Sequence, residues 1–219
     1  MSDSCTPERF LRDVQKHEIQ VIRDDGVNRH IRFKRPGSSS YYFDLVTWPG
    51  TLCCTGDMGT YVFQRTHDMF AFFRTEARPG ELRINRSYWS EKLVATDCNG
   101  RRGGSVFEYI PEVFERVVKE KLVQWWRDYD LTTEQRRALR KAVEIDVLDC
   151  ANDGEVRACD AAVWFSKKIG RHVFEFRNFW ETNLSDYTFH FTWCCYALIW
   201  GIHQYDQHVA AQAEPAAAN

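Results

Sequence analysis

The segment from about Asp186 to His208 constrains the fold more than any other stretch, because Phe189, Phe191 and Trp193 lead into an unbroken apolar run, CCYALIWGI, at 194–202. A membrane span needs about 20 apolar residues in succession. This run is too short for that, and His190, His203, Gln204 and Asp206 flank it. It predicts a helix buried at the centre of a folded domain. Such a helix needs apolar partners around it. The 219-residue chain supplies them: 44% of its residues are hydrophobic, and its 8 Trp, 9 Tyr and 15 Phe each bring roughly 150–250 Å² of surface to bury. That supply excludes a disordered linker, whose low hydrophobicity leaves chain entropy unopposed.

Upstream periodicities suggest what covers the helix. Thr6, Pro7 and Glu8 start a first helix running toward His17, with Phe10, Leu11 and Val14 on one side. From Ile19 the pattern alternates, and Asp25-Gly26 between extended runs marks a hairpin. Further extended runs, Tyr41–Trp48, Thr51–Thr55 and Thr60–Gln64, are separated by Pro49-Gly50 and by the turn Gly56-Asp57-Met58-Gly59. Together they predict an antiparallel meander of about five strands. Short helices are expected over His67–Arg74 and Ser87–Ala95, and CNGRRGGS at 98–105 reads as the most flexible stretch.

Beyond it the pattern turns helical. Pro111-Glu112 opens a helix with Val113, Phe114, Val117, Val118, Leu122 and Trp125 on one face. Thr132 with Gln135 forms a capping box for a second helix, running through Val147 and ended by Asn152-Asp153-Gly154. Cys159–Ile169 is expected to be a short helix closed by Gly170, and Val173–Phe179 fits either strand or loop. The expected fold is α+β, an N-terminal antiparallel β-meander packed against a C-terminal helical bundle with a central buried C-terminal helix. One domain is expected over 1–209, with helix plus meander in 1–75, mainly helix in 84–209, and a disordered tail at 210–219.

Charge and cysteines narrow the function classes. With 29 Lys+Arg against 31 Asp+Glu, the formal charge of −2 excludes a globally basic nucleic-acid coat and a strongly acidic DNA mimic. The opening MSDSCTPERFLRDVQKHE lacks the apolar stretch of a secretory signal and reads as neither signal nor transit peptide. The eight Cys include two adjacent pairs, Cys53-Cys54 and Cys194-Cys195, and no CxxC. Neighbouring cysteines neither bridge easily nor share one tetrahedral zinc, so reduced thiols, mostly buried as small hydrophobes, are expected.

Four constellations could carry chemistry. For a protein partner, Trp48 beside Pro49-Gly50, Asp57 in the 56–59 turn, and Arg29, Arg32, Lys34, Arg35, Tyr41 and Tyr42 offer the residue types that anchor interfaces on loops and strands of a rigid scaffold. For nucleic acid, Arg32, Lys34 and Arg35 followed by aromatics, with Arg101 and Arg102, could neutralise phosphates and stack bases. Arg29, Arg32 and Lys34 do not all share a strand face, however. For a metal, His190 and Cys194 lie four apart and Cys195 and His203 eight apart, spacings that share a helix face; burial in a core helix is the simpler reading. For hydrolysis, His67-Asp68 and Asp57 could pair a base with an orienting carboxylate, although Asp68 also suits a helix's first turn. The 56–59 turn lacks the lysine and following helix of a phosphate loop.

Three blocks, TWPGTLCCTGDMGTYVFQRTHDMFAFFR at 47–74, INRSYWSEKL at 84–93 and HFTWCCYALIWGIHQYD at 190–206, resemble a family of uncharacterised phage and prophage proteins. The resemblance implies a phage-encoded accessory protein acting in the host bacterial cytoplasm, and brings no reaction or catalytic residues with it. Proteins in that setting include anti-CRISPR inhibitors that occlude a host complex. The leading expectation is a non-enzymatic protein that binds and modulates a bacterial protein or ribonucleoprotein such as a defence complex, with no cofactor. The alternatives are a nucleic-acid-binding protein and a metal-dependent hydrolase built on His67, Asp68, His190 and Cys194.

Overall fold

Thr6 caps the first helix as its side chain predicts, accepting a hydrogen bond from Arg9 N at 3.2 Å, with Pro7 in the first turn of α1 (Pro7–Val14). In the computed structural model, which describes residues 5–74, 82–97 and 106–213, a meander follows: β1 (Glu18–Asp25), β2 (Asn28–Lys34), β3 (Phe43–Trp48), β4 (Thr51–Gly56) and β5 (Gly59–Gln64). Gly26, at φ 60°, supplies the left-handed residue of the first hairpin. At the third hairpin Gly56 is required by crowding, since a Cβ there would collide with the Tyr42 carbonyl and lie 2.8 Å from Phe43 Cα. α2 (Met69–Arg74) and α3 (Arg86–Ser90) come next.

The meander has six strands rather than about five. The helix expected over Ser87–Ala95 is confined to α3, and β6 (Leu93–Thr96) pairs antiparallel with β5, giving the order β1-β2-β3-β4-β5-β6. Asn85 caps α3 through Tyr88 N at 3.1 Å. Lys92 O then accepts from Gln64 N at 2.9 Å, so the strand state is set by β5, a partner distant in sequence.

One face of this sheet is apolar throughout: Ile31, Phe33, Phe43, Leu45, Leu52, Cys54, Tyr61 and Phe63 are all buried. It is covered by α1, α2 and α7 (Phe189–Ala213), the expected central helix. Trp193 is fully buried and its indole donates to Asp13 at 3.1 Å. Gly201 lets α7 come close: a Cβ there would lie 2.9 Å from Leu45 Cδ1 and 3.1 Å from the Phe33 and Phe43 rings. Residues 210–213, expected in a disordered tail, continue this helix, and 214–219 lie outside the described residues.

The chain forms two compact units, one from Met1–Val106 with Tyr187–Asn219 and the other from Phe107–Asp186. Where the first is interrupted, its two ends meet: Thr188 N donates to Val106 O at 3.0 Å. The second unit contains α4 (Pro111–Asp128), α5 (Thr133–Asp146), a 3₁₀ turn (Leu148–Asp153) and α6 (Glu155–Val163). Its core gathers Phe114, Val118, Leu122, Leu139, Val143, Ala158, Ala162, Phe174 and Phe179, separate from the core under the sheet. The predicted capping box is present, with Gln135 N on Thr132 Oγ1 at 3.2 Å and Thr132 N on Gln135 Oε1 at 3.0 Å. The helix expected over Cys159–Ile169 stops at Val163. Ser166–Ile169 and His172–Glu175 instead form a hairpin about Gly170, at φ 59°. Short strands at Phe107–Tyr109 and Ser185–Tyr187 pair with each other. No helix among the described residues is long and apolar enough to cross a membrane.

Candidate functional site

Strand alternation sends the residues flanking the buried set to the other side of the sheet. The register orders them into rows. One row runs Gln20, Arg32, Asp44, Thr55 and Thr60; the next runs His30, Val46, Cys53, Val62 and Ala95; a third runs Trp48, Thr51 and Gln64. Val46, Cys53 and Val62 are half-buried and belong to neither core. This outer face therefore carries an apolar middle row between two polar ones.

Asp44 organises the polar row. Arg32 grips it with two hydrogen bonds of 2.8 Å, from Nε to Oδ1 and from Nη2 to Oδ2, and His30 Nε2 lies 2.8 Å from Oδ2. Asp44 is only 5% exposed. Burial works against its charge, but the bonds from Arg32 and His30 outweigh it and hold the carboxyl below its usual range. The same pairing raises the Arg32 pKa. At the far end of the face Trp48 is 43% exposed, fixed beside the Pro49-Gly50 turn, where Gly50 N donates to His67 O at 2.9 Å. Pro49, Gly50, Thr51, Gln64 and Arg65 line a hollow of about 370 Å³ there.

The structure sorts the residues singled out in the sequence. Trp48, Arg32, Lys34 and Tyr42 fall on this outer face, with Lys34 opposite Glu18 and Arg35 exposed just beyond the strand. Lys34 and Arg35 form no ion pair among the described residues. Arg29 is corrected from a surface contact to a staple of the fold. It binds Asp68 through Nη1 at 2.9 Å and Nη2 at 3.2 Å, its guanidinium sits 4.8 Å above the Phe70 ring, and only 10% of its side chain is exposed. Tyr41 is likewise internal: its ring stacks on Trp193 and its carbonyl meets His17 Nε2 at 2.9 Å. Asp57 accepts from Tyr41 N at 2.7 Å, pinning the 56–59 turn to the start of β3. Arg101 and Arg102 lie outside the described residues. Asp44 and His30, the centre of the face, were not among the residues singled out; an acid within the apolar strand FDLVTW was the available signal.

Catalytic and metal constellations are not assembled by this geometry. Asp68 is engaged by Arg29 and by Phe70 N at 2.9 Å, so it does not orient His67 as a base. Arg29 holds its carboxyl below the usual range despite the opposing effect of burial. His190 and His203 are exposed whereas Cys194 and Cys195 are buried, so the imidazoles do not share the interior expected for them and do not converge with the thiols. Among the described residues no three His, Cys, Asp or Glu gather to hold a metal ion. Cys53 shares a row with His30, yet burial pushes its thiol up to about 11, opposite to the lowering that makes a nucleophilic thiolate. No family model, curated protein or solved structure matches the chain.

Proposed function

We propose that the protein is a binding module that docks a protein partner on the outer face of its sheet. The observation that carries this reading is the arrangement of that face: an exposed Trp48 on a tight turn, a half-buried row of Val46, Cys53 and Val62, and a pre-formed His30–Asp44–Arg32 network alongside. Interfaces concentrate their energy in aromatic and Arg anchors around a desolvated centre with a polar rim. Side chains already held by one another lose little freedom on binding. The resemblance to phage proteins supplies the setting: an accessory protein acting on a bacterial protein or ribonucleoprotein, such as a defence complex. Capture from lysates of defence-bearing bacteria is the test. A stoichiometric partner lost on Trp48→Ala and on Val62→Glu, with the circular dichroism unchanged, supports the reading; capture indifferent to both substitutions removes it.

Lys34 and Arg35, charged and without ion pairs among the described residues, favour nucleic acid as a second reading. It requires affinity for a duplex oligonucleotide to fall steeply with salt and to weaken in Lys34→Ala/Arg35→Ala. Salt-insensitive capture of a protein excludes it.

A further inference from the structure

A distinct cleft lies wholly within the 107–186 unit. α4 contributes Glu115, Lys119, Leu122 and Trp126, spaced four, three and four residues apart and so on one stripe of the helix. Opposite them stand α5 and the 3₁₀ turn after it, and the space between measures about 590 Å³, within the roughly 300–1,000 Å³ of small-ligand sites. Leu122, Val143 and Leu148 make its lining apolar. The Trp126 indole lines it too, and its Nε1–H is buried without a hydrogen-bond acceptor among the described residues. Buried donors are seldom left unpaired in native proteins.

Charge at the rim is asymmetric. Lys119 is neutralised by Glu115 at 2.7 Å. Of the remaining charged lining groups, Glu144 and Asp149 are acids and Arg140 is a base, and none of the three forms an ion pair among the described residues. A ligand that suits this cleft carries a positive charge for the two carboxylates, an acceptor for the indole N–H and an apolar body for the lining. We infer that the cleft binds the amino-terminal residues of a short apolar peptide. The α-ammonium group meets Glu144 and Asp149, a peptide carbonyl accepts from Trp126, and the side chains rest on Leu122, Val143 and Leu148. A simple carboxylate would face an excess of negative charge, and a plain hydrocarbon would leave the indole unmet.

The test uses the full chain labelled with ¹⁵N, titrated with Leu-Phe-amide and followed through the Trp126 indole resonance, which is assigned by its loss in Trp126→Phe. A saturable shift is expected. Affinity should fall about tenfold for N-acetyl-Leu-Phe-amide, and by a similar factor for Glu144→Gln/Asp149→Asn, the scale of one charge-assisted hydrogen bond. Both acids are exposed, so the double variant keeps its fold. Absence of a saturable shift, or equal binding of the acetylated and free peptides, overturns the assignment.

Discussion

Asp44 shows how one residue decides what a surface offers. Its carboxylate is the shared acceptor for Arg32 and His30, so neither cation is free to meet a phosphate without breaking bonds inside the sheet. Because its folded pKa lies below the ordinary 3.8, the group contributes stability that is complete above that value and disappears as pH falls through the folded pKa. Asp44→Asn is therefore expected to lower stability by about 1–3 kcal/mol at pH 7, toward the smaller figure since Arg32 is a third exposed. Its gap to the parent protein should close as the pH drops below 4, as thermal melts across that range would show; a gap independent of pH removes the argument. At this scale the sequence was legible only in part. Arg29 and Arg32 are alike in a basic stretch, yet strand parity sends one into the interior and one outward. Tyr41 and Tyr42 part in the same way, because Tyr41 adopts φ 59° and turns its ring onto Trp193.

Elements were readable wherever their signal is local. The Thr6 and Thr132 caps, the Gly26 hairpin and the apolar run of α7 each act within a few residues, and each appears where expected. β6 and the Ser166–Ile169 strand were read as helix because their state comes from a partner strand rather than from their own spacing. The capping box makes this distinction measurable. Thr132→Ala removes the acceptor for Gln135 N and should lower the unfolding free energy by about 1 kcal/mol, while Thr132→Ser should retain it. Chemical denaturation followed by circular dichroism compares the two, and equal losses would show that the hydroxyl does not act as a cap.

Across the whole molecule, nothing in composition marks 107 and 186 as the limits of a compact unit, because that boundary is defined by contacts between distant segments. The core under the sheet draws its buried residues from before 90 and after 190, and the hydrogen bond from Thr188 to Val106 already joins the two ends. Replacing residues 108–186 by a short Gly-Ser linker should leave the sheet unit folded, with dispersed amide resonances, whereas ending the chain at Asp186 removes α7 and should abolish that dispersion. A collapsed spectrum for the linker variant would refute the separation. The cysteines beneath the sheet extend the argument to time. Cys54, Cys194 and Cys195 sit in the layer between strands and helix, and burial drives the thiols of the last two well above their ordinary pKa. An alkylating reagent attacks thiolate in contact with water, so these sulfurs become reactive only while strands and helix are apart. Their alkylation half-life, set against that of half-exposed Cys5 or Cys150, is a clock for how often the interior breathes.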